Sequence, residues 1–136
     1  MVVNKLQGVG RRVSVYSVAR ILLAEDDDRM RTFLARGLRR AGHVVDAVTD
    51  VEAALARSRG SDYDLLLADV VMPGIDGIEL ARQVTARHPG IKVMFITGFA
   101  AVALQDEGFG AHQPRILAKP FHLRHLIAEI EALLLQ

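Results

Sequence analysis

The sequence contains no cysteine and no tryptophan, only two tyrosines and four prolines, and almost no charge excess: 17 Lys+Arg face 16 Asp+Glu over 136 residues. Without cysteine there is no disulfide scaffold, no thiolate zinc site and no thiol nucleophile. A formal net charge of +1 lacks the basic excess of a dedicated nucleic-acid binder. No apolar run approaches the roughly 20 residues of a membrane-spanning helix. Neither nucleic acid nor a membrane is therefore an expected partner, and a cytoplasmic protein is expected. What is present, 51% apolar and 24% charged residues, belongs to a globular chain long enough for one domain with its own core.

The charge balance hides a split. Residues 1–20 carry Lys5, Arg11, Arg12 and Arg20 and no acid, leaving 13 Lys+Arg against 16 acids in the remainder. Gly8, Gly10 and Ser14 interrupt any apolar signal region, and the make-up is only weakly like a transit peptide. Residues 1–18 are expected to be a basic, poorly ordered extension, and residues 19–136 the domain.

From there the chain alternates. Apolar runs at Arg20–Ala24, Val44–Val48, Asp64–Asp69, Ile91–Thr97 and Arg115–Ala118 predict five strands. Met30, Phe33, Leu34, Leu38 and Ala41 recur at helical spacing, with Asp27 or Asp28 as cap and Gly42 as stop. Asp50 caps a second helix. Ile78–His88 forms a third, stopped by Pro89 and Gly90, and Leu123–Leu134 a closing amphipathic one. Between the last two strands, Ala100–Gln105 makes a short helix at best, and Asp106–Pro114 reads as loop. Alternation of this kind predicts an α/β fold: a five-stranded parallel sheet, doubly wound, with helices on both faces.

Ligands of such sheets bind at the carboxyl ends of the strands. The residues there are Glu25, Asp26, Asp69, Thr97 and Lys119. Three converging carboxylates stay ionised together only around a cation, and hard oxygen ligands suit Mg²⁺. Asp27 and Asp28 read as a helix cap in the favourable field of the helix N-terminus; for Glu25 and Asp26 cap and ligand are both open. Asp69 closes an apolar strand with no capping task, and a carboxylate can act as a nucleophile towards phosphorus. Pro120 follows Lys119 in a turn that would aim the lysine. His122 and His125 stand at i, i+3 without a third ligand and read as a solvated face. A nucleotide binder would need a phosphate-cradling loop where Glu25 to Asp28 stand, and the phosphohydrolases compared carry an Asp two residues after the nucleophile, where this chain has Val71.

Glu25-Asp26, the stretch Asp69 to Pro73 with Gly74 and Asp76-Gly77, Ile96-Thr97-Gly98 and Lys119-Pro120-Phe121 together resemble the receiver domain of two-component response regulators, over about residues 19–135. The resemblance implies a flavodoxin-like (βα)5 fold with strand order 2-1-3-4-5. It implies that Asp69 accepts a phosphoryl group from a phosphohistidine on a sensor histidine kinase or histidine phosphotransfer protein. Mg²⁺ would be held by Asp26, Asp69 and the Val71 carbonyl, and by Glu25 through water. Lys119, Thr97 and the Gly98 N–H would bind the phosphoryl group. Such a domain is a switch that catalyses only its own phosphorylation and dephosphorylation, not a turnover enzyme. One departure stands out: Ile116 occupies the position three before the lysine where many receivers carry an aromatic residue, so coupling of Thr97 to an aromatic switch is expected to be weak or absent. The chain has no room for an output domain and is expected to be a stand-alone receiver or one cut from a larger protein. It is similar to receivers of hybrid kinases and to the small CpdR-like cell-cycle regulators, which act as protease adaptors. The alternative is a constitutive protein-interaction module or adaptor without obligatory phosphorylation.

Overall fold

The computed structural model describes residues 18–72, 76–98 and 113–136. They form, in order, β1 (Arg20–Ala24), α1 (Asp28–Arg40), β2 (Val44–Val48), α2 (Val51–Gly60), β3 (Leu65–Asp69), α3 (Gly77–Arg87), β4 (Lys92–Thr97), β5 (Arg115–Ala118) and α4 (Leu123–Leu134). The strands make one sheet in the order β2-β1-β3-β4-β5, and every pairing is parallel. The expected doubly wound topology is therefore present. The basic leader up to Ser17, the Pro73–Ile75 turn, the short helix expected at Ala100–Gln105 and the Gly108–Gly110 loop lie outside the described residues.

The central strands β1, β3 and β4 are almost wholly buried because both faces of the sheet are covered there, whereas the edge strands β2 and β5 are partly exposed. Ile21, Leu23, Leu65, Leu67, Met94 and Ile96 face one layer, where they pack with Leu34 and Leu38 of α1 and with Leu126, Ile130 and Leu133 of α4. Their neighbours Leu22, Ala24, Leu66, Ala68, Val93 and Phe95 face the other, against Ala54 of α2 and Leu80, Ala81 and Val84 of α3. The two-residue period of a strand thus feeds two cores at once.

Local chemistry sets the boundaries. The Asp27, Asp50 and Asp76 side chains accept from the backbone N–H three residues on, capping α1, α2 and α3. Gly42 takes the left-handed conformation (φ 103°) that lets the chain leave α1 for β2. β3 begins at Leu65, one residue after the expected Asp64, whose carboxylate accepts from the Arg20 N–H at 2.8 Å. α4 has no basic residue in its last turn. Lys92, buried on β4, supplies the missing cation instead, its Nζ donating to the carbonyls of Leu133 (2.9 Å) and Gln136 (2.7 Å).

One close approach sets where the site sits. Gly77 opens α3 directly against the end of β3, donating its N–H to the Val70 carbonyl at 2.9 Å. A Cβ there would clash with the Asp69 carbonyl oxygen and lie 2.9 Å from its carbon, both rigid backbone atoms. Gly77→Ala is expected to destabilise the protein by about 1–3 kcal/mol through overpacking. Gly90→Ala, with nothing within 4 Å of the new methyl, is the surface control, and urea unfolding of the two variants compares them.

Candidate functional site

The site grows from the last rungs of the sheet. Beyond the strands proper, the Glu25 N–H donates to Val48 O (3.1 Å), the Val70 N–H to Ile96 O (3.1 Å) and the Lys119 N–H to Thr97 O (2.8 Å). Backbone hydrogen bonds therefore fix Glu25, Asp69 and Lys119 at one end of the sheet before their side chains interact. Glu25, Asp26 and Asp69 each place a carboxylate oxygen within 4.8 Å of the others.

Lys119 crosses to this cluster. Its Nζ donates to Asp69 Oδ2 at 2.8 Å and stands 3.9 Å from Glu25 Oε1. The other oxygen of Asp69 accepts from the Val71 N–H at 3.1 Å, so the carboxylate is held at both ends, with its side chain 9% exposed. The Lys119–Pro120 peptide is cis. Burial pushes the Lys119 ammonium down, but the hydrogen bond and charge of Asp69 outweigh it, and its pKa lies above the ordinary value.

The four consecutive acids take four different tasks. Glu25 is fully buried, with Oε2 accepting from the Asp27 N–H at 3.1 Å. Its Oε1 has no hydrogen-bond partner among the described residues. Burial, reinforced by the charges of Asp69 and Asp26, pushes the Glu25 carboxyl up to about 7, against the opposing Asp27 N–H and Lys119. Asp26 is exposed in the same cluster. Asp27 caps α1. Asp28 pairs with Arg31, whose Nη2 lies 2.6 Å from Oδ1 while Nη1 donates to the Glu25 carbonyl at 3.0 Å. A buried carboxylate oxygen with no donor, beside two more carboxylates, is a fit for a hard divalent cation.

Of the residues singled out in the sequence, Glu25, Asp26, Asp69 and Lys119 are brought together. Thr97 ends β4 beside them and is buried, Gly98 and Val71 are exposed, and Ile116 is 38% exposed on β5. His122 and His125 are exposed and not part of the site; His125 Nε2 stands 3.7 Å from Glu129. Arg31 was not among the candidates. Its only sequence signal is a basic residue one helical turn after Asp28, just past the run of four acids.

A family model described as the response regulator receiver domain matches residues 21–131. The chain belongs to this family. The response regulator receiver protein CpdR of Brucella abortus (strain 2308) is 50% identical over 116 residues, covering 85% of this chain and 97% of that protein. The transcriptional regulatory protein TcrA of Mycobacterium tuberculosis (strain ATCC 25618 / H37Rv) is 38% identical over 127 residues, and there the chain spans half of the relative's length. Among solved structures, the receiver domain of the hybrid histidine kinase CckA superposes with a TM-score of 0.72 at 34% identity, covering 85% of this chain and 98% of that one. The response regulator TrrA of Thermotoga maritima, in a complex with Mg(2+)-BeF, superposes with a TM-score of 0.73 at 27% identity, covering 84% and 97%. No helix of the described receiver is long and apolar enough to cross a membrane.

The electrostatics predict a pH signature. The folded receiver holds the Glu25 proton more tightly than the unfolded chain does. Glu25 therefore supports the metal-free fold fully below about 4.5, and loses that contribution as pH rises through about 7. Denaturant unfolding in chelator is expected to show stability falling across this window. Glu25→Gln is expected to flatten the fall; an unchanged slope in the variant means another group is responsible.

Proposed function

We propose that Asp69 is the phosphoacceptor of a two-component phosphorelay, taking a phosphoryl group from a phosphohistidine on a sensor histidine kinase or histidine phosphotransfer protein in the cytoplasm. The observation that carries this reading is the 2.8 Å pair between Lys119 Nζ and Asp69 Oδ2 at the rim of the acidic cluster. In the step, an Asp69 carboxylate oxygen forms a bond to phosphorus while the phosphorus–nitrogen bond of the donor breaks. The electron pair leaves on the imidazole, which then takes up a proton. Phosphoryl transfer needs in-line positioning and neutralisation of spread charge more than it needs an acid or base.

This chain's residues supply the positioning. The Val71 N–H and Lys119 ammonium fix the two Asp69 oxygens and so orient the nucleophile. Lys119 then passes from the carboxylate to a phosphoryl oxygen, carrying its charge with it. Thr97, whose side chain is buried at the end of β4, turns its hydroxyl to the phosphoryl group, and the Gly98 N–H donates beside it. Asp26, Asp69 and the Val71 carbonyl would hold Mg²⁺, with Glu25 reaching it through water. When bound, this ion supplies positive charge that offsets the repulsion between the carboxylates and the incoming phosphoryl group.

The consequence is a switch in a protein-interaction surface rather than turnover of a substrate. The same site hydrolyses the acyl phosphate and resets it. Ile116 has no hydroxyl to bury or expose, so the change at Thr97 reaches the surface without an aromatic rotor on β5.

Incubation with a small phosphodonor and Mg²⁺ is expected to add one phosphoryl group, read by intact mass. Asp69→Asn is expected to remove it, and persistent labelling of that variant moves the acceptor elsewhere. Asp26→Asn is expected to weaken Mg²⁺ binding sharply in calorimetry, whereas unchanged affinity places the metal at other residues.

A further inference from the structure

We propose that Arg31 is a positioning residue for the metal-binding loop. It sorts the four consecutive carboxylates so that Glu25 and Asp26, and not Asp28, serve the site. This rests on the metal reading above and adds a residue to it. The side chain of Arg31 is 19% exposed, and its guanidinium forks. Nη1 donates to the Glu25 carbonyl at 3.0 Å and Nη2 to Asp28 Oδ1 at 2.6 Å.

Glu25 lies in the loop between β1 and α1, and Asp28 opens α1 at the end of that loop. The two contacts span the segment that carries Asp26, and Arg31 itself stands on the first turn of α1, with its N–H on the Asp27 carbonyl at 2.9 Å. The guanidinium therefore ties the loop to a rigid element. It also neutralises the one acid of the four that neither caps the helix nor belongs to the cluster. Without it, Asp28 is an unpaired carboxylate two residues from Asp26, and the Glu25 carbonyl loses a donor in a part-buried position. The Glu25 backbone is then tied through its N–H to the Val48 carbonyl.

A planar fork suits this task. One guanidinium reaches two acceptors at once, which a lysine ammonium on a flexible stem does less well. Groups that hold ligands in place without touching the metal control affinity strongly; losing one typically costs about 10–100-fold.

The test is Mg²⁺ binding by calorimetry on the full chain, together with the rate of phosphoryl labelling from a small phosphodonor at graded Mg²⁺. Arg31→Met keeps the length and helix propensity of the side chain and removes both hydrogen bonds. It is expected to weaken Mg²⁺ by about tenfold or more and to raise the Mg²⁺ needed for half-maximal labelling by the same factor. The rate at saturating Mg²⁺ is expected to stay within about twofold of wild type, since Asp69 and Lys119 are untouched. Arg31→Lys, the less disruptive change, is expected to lie between the two. Wild-type affinity in both variants overturns the proposal, as does a lower saturating rate with unchanged affinity. If the wild type itself binds no Mg²⁺, the reading of the metal site falls and this proposal with it.

Discussion

Three carboxylates stand at one end of the sheet because backbone hydrogen bonds put them there. The ion pair between Lys119 and Asp69, 2.8 Å long, offsets their repulsion. Asp69 lies next to the fully buried Glu25, and a buried pair of like charges drives one of them towards its neutral form. Burial first, and that conflict second, raise the pKa of Glu25. Lys119 relieves part of it, at 2.8 Å from one carboxylate and 3.9 Å from the other. What is left unbalanced is a negative, oxygen-rich pocket with one oxygen that meets no donor among the described residues, and the proposed function uses that residue of charge to hold a divalent cation and then a phosphoryl group.

The rest of the fold serves this arrangement. Parallel pairing brings the carboxyl ends of β1, β3, β4 and β5 to one edge, and two cores clamp the sheet from both sides. Gly77 lets α3 start in contact with the Asp69 backbone, and Lys92 ties the end of α4 from below. The acidic loop is ordered from three directions: Val48 O on the Glu25 N–H, Asp27 on the Met30 N–H, and Arg31 on Glu25 and Asp28. Rigidity of this kind keeps a small number of charges in place without water having to reorganise around them.

Much of this was legible in the sequence, for identifiable reasons. Short apolar runs bounded by turn and cap residues mark strands, so β1, β2 and β5 have the expected limits, and β3 and β4 each start one residue later than expected. Acids at the strand ends mark the site because nothing else explains a carboxylate that closes an apolar run, as Asp69 does. The resemblance to receivers supplied the strand order, and it also implies the roles proposed for Val71 and Gly98. What sequence could not show are long-range consequences. The reach of the Asp64 carboxylate to the Arg20 N–H, 44 positions earlier in the chain, is one of them. Gly77 reads as turn chemistry until the Asp69 carbonyl is seen against it. The division of labour among Glu25, Asp26, Asp27 and Asp28 follows from which N–H or cation each one meets in three dimensions, and four adjacent acids do not spell that out.

The central claim is that the phosphoryl group resides on Asp69. The most direct measurement is chemical. Protein phosphorylated in Mg²⁺ is treated with borohydride, which reduces an acyl phosphate on aspartate to homoserine, and the digest is mapped by mass spectrometry. The account predicts homoserine at position 69 and at no other carboxylate. Reduction at Glu25, Asp26 or any other acid, or a labelled protein in which position 69 is still aspartate, would contradict it.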